Sequence, residues 1–500
     1  MVLSTATSGV LSITLPKFSH IVLLALWVGA RYGSLALGAI SGIGLALLVF
    51  GFGLKPGKPP TDVIYIIIAA VTCAGILQAS GGMDWMIQIA ERFLRKHPDR
   101  ITILAPLTTF FLTVLVGTGH VVYTMMPIIC DIAIKKGIRP ERPCGVASIA
   151  SQVGITCSPI AAAVVAFASI SSANGFQINN LQVIMVTIPA CLVGIMAAIF
   201  VSYRRGLDLE KDPKFQERIK NPEQYQYIYG ETTTTLDKVI SKDAKRAVYI
   251  FVAALCVIGM FSVVQMFGGN LLPKYDTIQA VKGASAIVLD GDVKQTAKQL
   301  ATAGVVLDGV TEKVQKPLAM SLVIQIVMIA AAAFMILFCK ADSKKAVSGS
   351  VWQSGMIAVI AIYGIAWLAD TYFGNYNKEM QSILKDFVSN YPWTIAIAFF
   401  IVSMLINSQG AVVTAMLPLA YTLNIEGWVL LGILPSVYAY FFIPNYPSDI
   451  ATVNFDRTGT TVIGKYLLNH SFMLPGLTSV IVSCIVGYGY AFLLHSMGVI

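Results

Sequence analysis

"ERFLRKHPDRITILAPLTTFFLTVLVGTGHVVYTMMPIICDIAIKKGIRPER", residues 91–142, is basic at both ends and apolar between them. Lys and Arg beside apolar spans mark the cytoplasmic face of a membrane. Both ends of this stretch therefore belong inside, and the chain between them enters the bilayer and comes back. The joining segment, 101–134, turns at Gly117-Thr118-Gly119-His120. Each arm, roughly 101–117 and 120–134, is at or below the ~17 residues a helix needs to cross. Two short spans with a surface turn would be the plain reading. A re-entrant hairpin with its tip near mid-membrane accounts better for the polar turn, because irregular backbone at that depth needs protein or a water-filled cavity around it.

The rest of the chain agrees with a membrane setting. Of 500 residues, 56% are hydrophobic and 12% charged, against roughly a quarter charged in soluble domains. Runs such as 35–53, 63–79 and 181–203 approach or exceed the ~20 apolar residues that span a bilayer. The net charge of +9 sits in short loops beside spans, as orientation requires, which argues against nucleic acid as a partner. The eight cysteines are scattered through apolar segments without CxxC spacing, so they read as small core residues, not as a metal site or disulfide framework. The oily run after Lys17 lacks a convincing cleavage site and is expected to be a first span.

The tip motif occurs twice. "GTGHVVYTMMP" (117–127) and "SQGAVVTAMLP" (408–418) share Gly119/Gly410, Val121/Val412, Val122/Val413, Met125/Met416 and Pro127/Pro418, each pair 291 positions apart. Loop charges place 204–246 and 339–345 in the cytoplasm, so the second hairpin, 393–420, enters from the opposite face. The expected fold is an all-α polytopic membrane protein of about ten transmembrane helices plus two re-entrant hairpins, in the inverted-topology repeat of secondary transporters. Its parts are a first repeat (1–203, with hairpin 101–134 and a broken helix 143–170), a cytoplasmic linker (204–246) and a second repeat (247–500). The second repeat holds a periplasmic insert (273–316) read as strand, helix, strand, hairpin 393–420, and a broken helix 426–456. Each broken helix carries a proline, Pro159 in "TCSPIAAA" and Pro444 with Pro447 in "IPNYPSD". Both termini are expected on the periplasmic side.

Helix starts within a membrane present free N–H groups and a partial positive charge of about half a unit, so they attract anions without a buried Lys or Arg. Two opposed tips suit an acid with a carboxylate at each end, although a mono-anion or phosphate could use one. The candidate substrate-binding residues are Gly117, Thr118, Gly119, His120, Thr156, Ser158, Asn407, Ser408, Gln409, Gly410, Asn445, Tyr446, Ser448 and Asp449. Thr118, Ser408 and Gln409 could equally be turn caps. His120, which titrates near neutrality when unperturbed, and Asp449, an acid inside a helix break, are the proton-coupling candidates. Asp449 pairing with Arg457 or capping the next helix is the structural alternative. Asp456 and Arg457 read as a cytoplasmic-edge ion pair or a gate. In 83–98, Met86, Ile89, Ala90 and Phe93 form one stripe, with Glu91, Arg92, Arg95 and Lys96 opposite, as in an interfacial helix.

These residues carry a resemblance. The chain is similar to the anaerobic four-carbon dicarboxylate transporters of the Dcu type from bacterial inner membranes, through "LKPGKPPTDV", "LQASGGMDWMIQIAERFLRKHP", "GTGHVVYTMMPII", "SPIAAAVV", "INSQGAVV", "YPSDIATVNFDRTGTTVIGKY" and "NHSFMLPGL". The resemblance implies exchange or uptake of fumarate, succinate, malate and aspartate, and a scaffold with a mobile, elevator-like transport unit. The insert at 276–314 departs from the family pattern. Proton or sodium coupling, a homodimer and docking of a membrane sensor kinase stay open. No cofactor or metal is expected. A membrane-embedded enzyme is the rival class, but no nucleophile stands at motif spacing. A channel would be told apart by its lack of saturable counterflow.

Overall fold

The computed structural model describes residues 18–500 apart from 33, 231, 267–268, 270, 281–286, 290–292, 296–305, 307–309, 444–445 and 465–468. The chain is an all-α polytopic membrane protein. Among the described residues seven helices are long and apolar enough to cross a bilayer, and a bent pair, Val63–Ala79 with Gly82–Lys96, meets at 71°. The bend falls at Gly81, whose φ of +80° few other residues would adopt. One of the seven is the first hairpin arm, Pro98–Val116, which at 19 residues is longer than expected, whereas Ser19–Tyr32 and Ser34–Ala46 run only 14 and 13 residues, about 20 Å each at 1.5 Å per residue.

Elements at matching positions of the two halves pack in matching ways. Asn180–Ser202 and Met473–Ser496 lie against each other along their length, where Gly194 lets Ser483 come so close that a Cβ would sit 2.0 Å from its Oγ. Ser34–Ala46 packs on Ser350–Asn390, as Met320–Cys339 packs on Thr61–Ala79. Gly38 and Gly364 form the first of these crossings, with backbone of one where a side chain of the other would be. Small residues allow such approach where no hydrophobic force drives helices together. The second arm of each hairpin then packs on a helix from the opposite half of the chain: Val122–Lys135 on Pro447–Phe455, and Gln409–Thr422 on Ala162–Ala173.

Several elements depart from expectation. The segment 369–392 continues the preceding helix, which runs 41 residues to Asn390 with a kink at Tyr376. The part before the kink, Ser350–Tyr376, has 27 residues, about 40 Å at 1.5 Å per residue and longer than the ~30 Å hydrocarbon core. In the insert, Lys274–Ala280 pairs antiparallel with Thr311–Pro317, and Ile287–Leu289 with Val293–Gln295. The expected insert helix lies mostly outside the described residues. Helix Gly82–Lys96 buries Met83, Met86, Ile87, Ala90 and Leu94 together with Gln88 and Glu91, whereas Ile89 and Phe93 are exposed. Its packed face is thus rotated from the stripe read in the sequence, because the segment 232–238 supplies polar partners. Thr234 and Thr235 donate to the Glu91 carboxylate at 2.6–2.8 Å, and Gln88 donates to the Thr235 and Lys238 carbonyls.

Candidate dicarboxylate site between two hairpin tips

The first hairpin is Ile101–Val116, a turn, and Val122–Lys135. Gly117 ends the first arm at φ +79°, the left-handed stop typical of helix C-termini. Thr118 is extended, and its Oγ1 accepts from the His120 N–H at 3.4 Å. The second hairpin is Ile395–Leu405, a turn, and Gln409–Thr422, with Ser408 as N-cap accepting from the Ala411 N–H at 3.4 Å. Capping therefore is one role of Thr118 and Ser408. Pro127 and Pro418 lie inside the second arms.

Both tips seat against the first broken helix. A Cβ on Gly117 would lie 2.8 Å from Ile160, one on Gly119 2.5 Å from the Gln152 amide, and one on Gly410 2.9 Å from Ala162. Between the tips is a cavity of about 540 Å³, walled by Gly117–His120 and Asn407–Gly410, with Tyr123, Tyr440 and Tyr446. Helices 67–74 and 351–361 form its other side. No Lys, Arg, Asp or Glu is among its described lining residues. His120 stacks on Tyr123, ring centroids 5.6 Å apart. A roomier groove of about 780 Å³, between Lys242–Met266 and Met320–Cys339, touches neither tip and has almost wholly apolar walls, so it offers nothing to hold a carboxylate.

A buried amide and phenol join the tips. Gln152 accepts from the Tyr440 hydroxyl at 2.8 Å, and its main-chain carbonyl accepts from the Gln409 side-chain amide at 2.8 Å. Gln409 also reaches Tyr440 at 3.2 Å. The Asn407 Oδ1, Gln409 Oε1 and Ser158 Oγ atoms are buried and have no hydrogen-bond partner among the described residues. Such orphaned groups cost about 1–3 kcal/mol each, and which amide atom is oxygen is set only by its surroundings.

The sequence candidates divide by position. Gly117, Thr118, Gly119, His120, Asn407, Ser408, Gln409, Gly410 and Tyr446 line the cavity. Behind its wall, Ser448 lies 3.5 Å from Gln152, and Asp449, fully buried, accepts from Ser148 at 2.7 Å. Neither Arg457 nor a helix cap engages Asp449. Thr156 turns away, donating back to the Val153 carbonyl with Cys191 beside it, because Gly154–Cys157 is a tight 3₁₀ turn that aims Ile155 inward instead. Asn445 lies outside the described residues. Asp456 and Arg457 do not pair with each other. The Asp456 carboxylate is filled by Thr458, Thr460 and Thr461, while Arg457 reaches Asp131 at 3.4 Å. The second break also starts earlier than Pro444: helix Gly427–Gly432 gives way at Leu434–Val437, where Pro435 stands.

Gln152, Tyr440 and Tyr123 were not among the candidates. Their signal was present in "SIASQVGIT", where Ser148, Ser151 and Gln152 form one polar stripe at helical spacing, and in "SVYAYFF". Among the described residues no group of three His, Cys, Asp or Glu could hold a metal.

Residues 17–495 match the family described as anaerobic C4-dicarboxylate membrane transporter. The chain belongs to this family. Among its relatives is the anaerobic C4-dicarboxylate transporter DcuB of Escherichia coli O6:H1, 42% identical over 474 residues, covering 94% of this chain and 97% of that protein. The C4-dicarboxylate transporter DcuA of Wolinella succinogenes is 32% identical over 468 residues, and that of Helicobacter pylori J99 is 33% identical over 482, each covering 94% of this chain and 97% of the relative. Membership extends across both tips and both breaks, so the cavity belongs to a membrane transporter and not to an enzyme.

Proposed function

We propose that this chain carries C4 dicarboxylates such as fumarate, succinate, malate and aspartate across a bacterial inner membrane, one at a time, in the cavity between the tips. The observation that carries the reading is the meeting of two helix-starting tips on one cavity without a Lys or Arg. The first N–H groups of a helix have no partner within it, and the dipole favours negative charge there. A four-carbon acid with a carboxylate at each end could engage both tips, while a monocarboxylate would leave one empty. Ser158, Asn407 and Gln409 have spare hydrogen-bonding capacity nearby.

In this reading the two halves are inverted repeats, and the hairpins with the broken helices move as one unit against the remaining helices to expose the cavity alternately. Stripping water from two carboxylates is costly, so a half-loaded carrier moves poorly and exchange of equal charges is favoured. His120 on Tyr123 and Asp449 on Ser148 are where a coupled proton would reside. Coupling to sodium, dimerisation and docking of a sensor kinase are not needed for this scheme.

Counterflow tests it. Proteoliposomes loaded with succinate should accumulate labelled fumarate or succinate, and external C4 dicarboxylates should compete where monocarboxylates and tricarboxylates at equal concentration do not. Equal competition by acetate or citrate would refute the two-carboxylate reading.

A further inference from the structure

We infer that the groove between helices Lys242–Met266 and Met320–Cys339 binds one anionic phospholipid, its headgroup at the Arg246 end and an acyl chain along the groove. The groove holds about 780 Å³ and is open along its side. Its walls include the large exposed side chains Tyr249 and Phe334 with Phe338 and the smaller Ala253 and Ala330, and the buried Ala254 and Ala331 lie at its base. Arg246 is the one charged residue among its described lining.

Length and charge both select the occupant. From Arg246 to Val257, at the groove's far end, is about 16 Å along the helix, close to half of the ~30 Å hydrocarbon core. That is the depth of a single leaflet. Further cations are close in sequence to the Arg246 end: Lys242 and Lys245 precede Arg246, and Lys340 follows the lining residue Cys339 directly. Lys245 lies over the Trp85 ring at 5.8 Å, and Trp85 packs edge-on to Tyr249. Against these cations Asp243 touches Arg246 only at 3.4 Å, with the arginine side chain 65% exposed. Basic residues at the end of an apolar groove one leaflet deep match an amphiphile with a negative head. A protein partner seated here would have to cover that guanidinium, which has only the one long contact to Asp243.

The test is native mass spectrometry of the purified full-length protein with phosphatidylglycerol, phosphatidylethanolamine, or glycerol phosphate as a headgroup without tails. One phosphatidylglycerol per chain should survive activation that strips phosphatidylethanolamine, and glycerol phosphate should not be retained. Arg246→Gln should bring phosphatidylglycerol down to the level of phosphatidylethanolamine, and Ala330→Trp, which fills the groove, should abolish retention. Gel filtration and melting temperature confirm that each variant is folded, and the Arg246 variant suffices if the Ala330 one is not. Equal retention of both lipids by the unmodified protein, or no change in the Arg246 variant, would overturn the assignment. So would efficient cross-linking of Ala330→Cys between two copies, which would make the occupant a second chain.

Discussion

At Gly119 a methyl group decides between a tip that seats and one that does not. Its Cβ would lie 2.5–2.9 Å from all three atoms of the Gln152 amide group, so Gly119→Ala must displace the side chain that Tyr440 holds. Exchange in proteoliposomes should fall by about tenfold or more, the effect of ~1.4 kcal/mol, with little change in protein recovered. Ser408→Ala and Thr118→Val remove an N-cap worth about 1 kcal/mol together with a hydroxyl on the cavity wall. Each should slow succinate/fumarate exchange while leaving monodisperse protein, and normal rates in both would take the tips out of the site. The residues easiest to read from the chain were these, because Gly, Ser, Thr and Asn in an apolar run have few uses but a turn. Gln152 and Tyr440 escaped because their role depends on a contact across 288 positions that no local pattern encodes. Thr156 misled for the opposite reason: it resembled a recapping residue, and it does bond backward, but on the face away from the cavity.

At the scale of elements, the helix Gly82–Lys96 and the linker behave as one strap. Burial raises the affinity of Glu91 for a proton, but hydrogen bonds from Thr235, Thr234 and Arg95 outweigh it and hold the carboxyl below its ordinary range. A carboxylate with a depressed folded-state pKa stabilises the structure above its unfolded value, about 4.3 for Glu, and that contribution is lost as pH falls through the folded value. The linker near 232–238 should therefore resist limited proteolysis from pH 8 to 5 and open only below about pH 4. Glu91→Ala should expose it at pH 7, at a cost of about 1–3 kcal/mol for the donors left unpaired. Hydropathy located this helix correctly as an amphipathic segment but misjudged its buried face, since a period cannot register polar partners arriving from a linker over 140 residues away. The second helix break was similarly displaced: Pro435, not Pro444, stands where the first segment ends.

Across the whole molecule, the membrane class was most legible in the sequence, because long apolar runs survive any error in helix boundaries. The number of spans was less so, since short apolar helices and hairpin arms differ from crossing helices only by a few residues. One charged cluster ties several parts together near the linker: Asp131, on the first hairpin, receives Arg95 at 3.3 Å, Lys135 at 3.2 Å and Arg457 at 3.4 Å, and is itself buried. Removing Asp131 takes a carboxylate from three cations at once, although Arg95 keeps Glu91 and the Thr233 carbonyl and Lys135 keeps Thr232. Asp131→Asn should lower the melting temperature in detergent, and combining it with Arg457→Gln should recover part of the loss.

The account rests on both tips touching the same bound acid. The most direct measurement is the rate of maleimide labelling of the single variants Thr118→Cys and Ser408→Cys, in a background without the eight native cysteines, as succinate is titrated in. The account predicts that succinate slows labelling at both positions with one shared half-saturation, and that acetate does so at neither. Protection at one tip alone, or at neither, would contradict it.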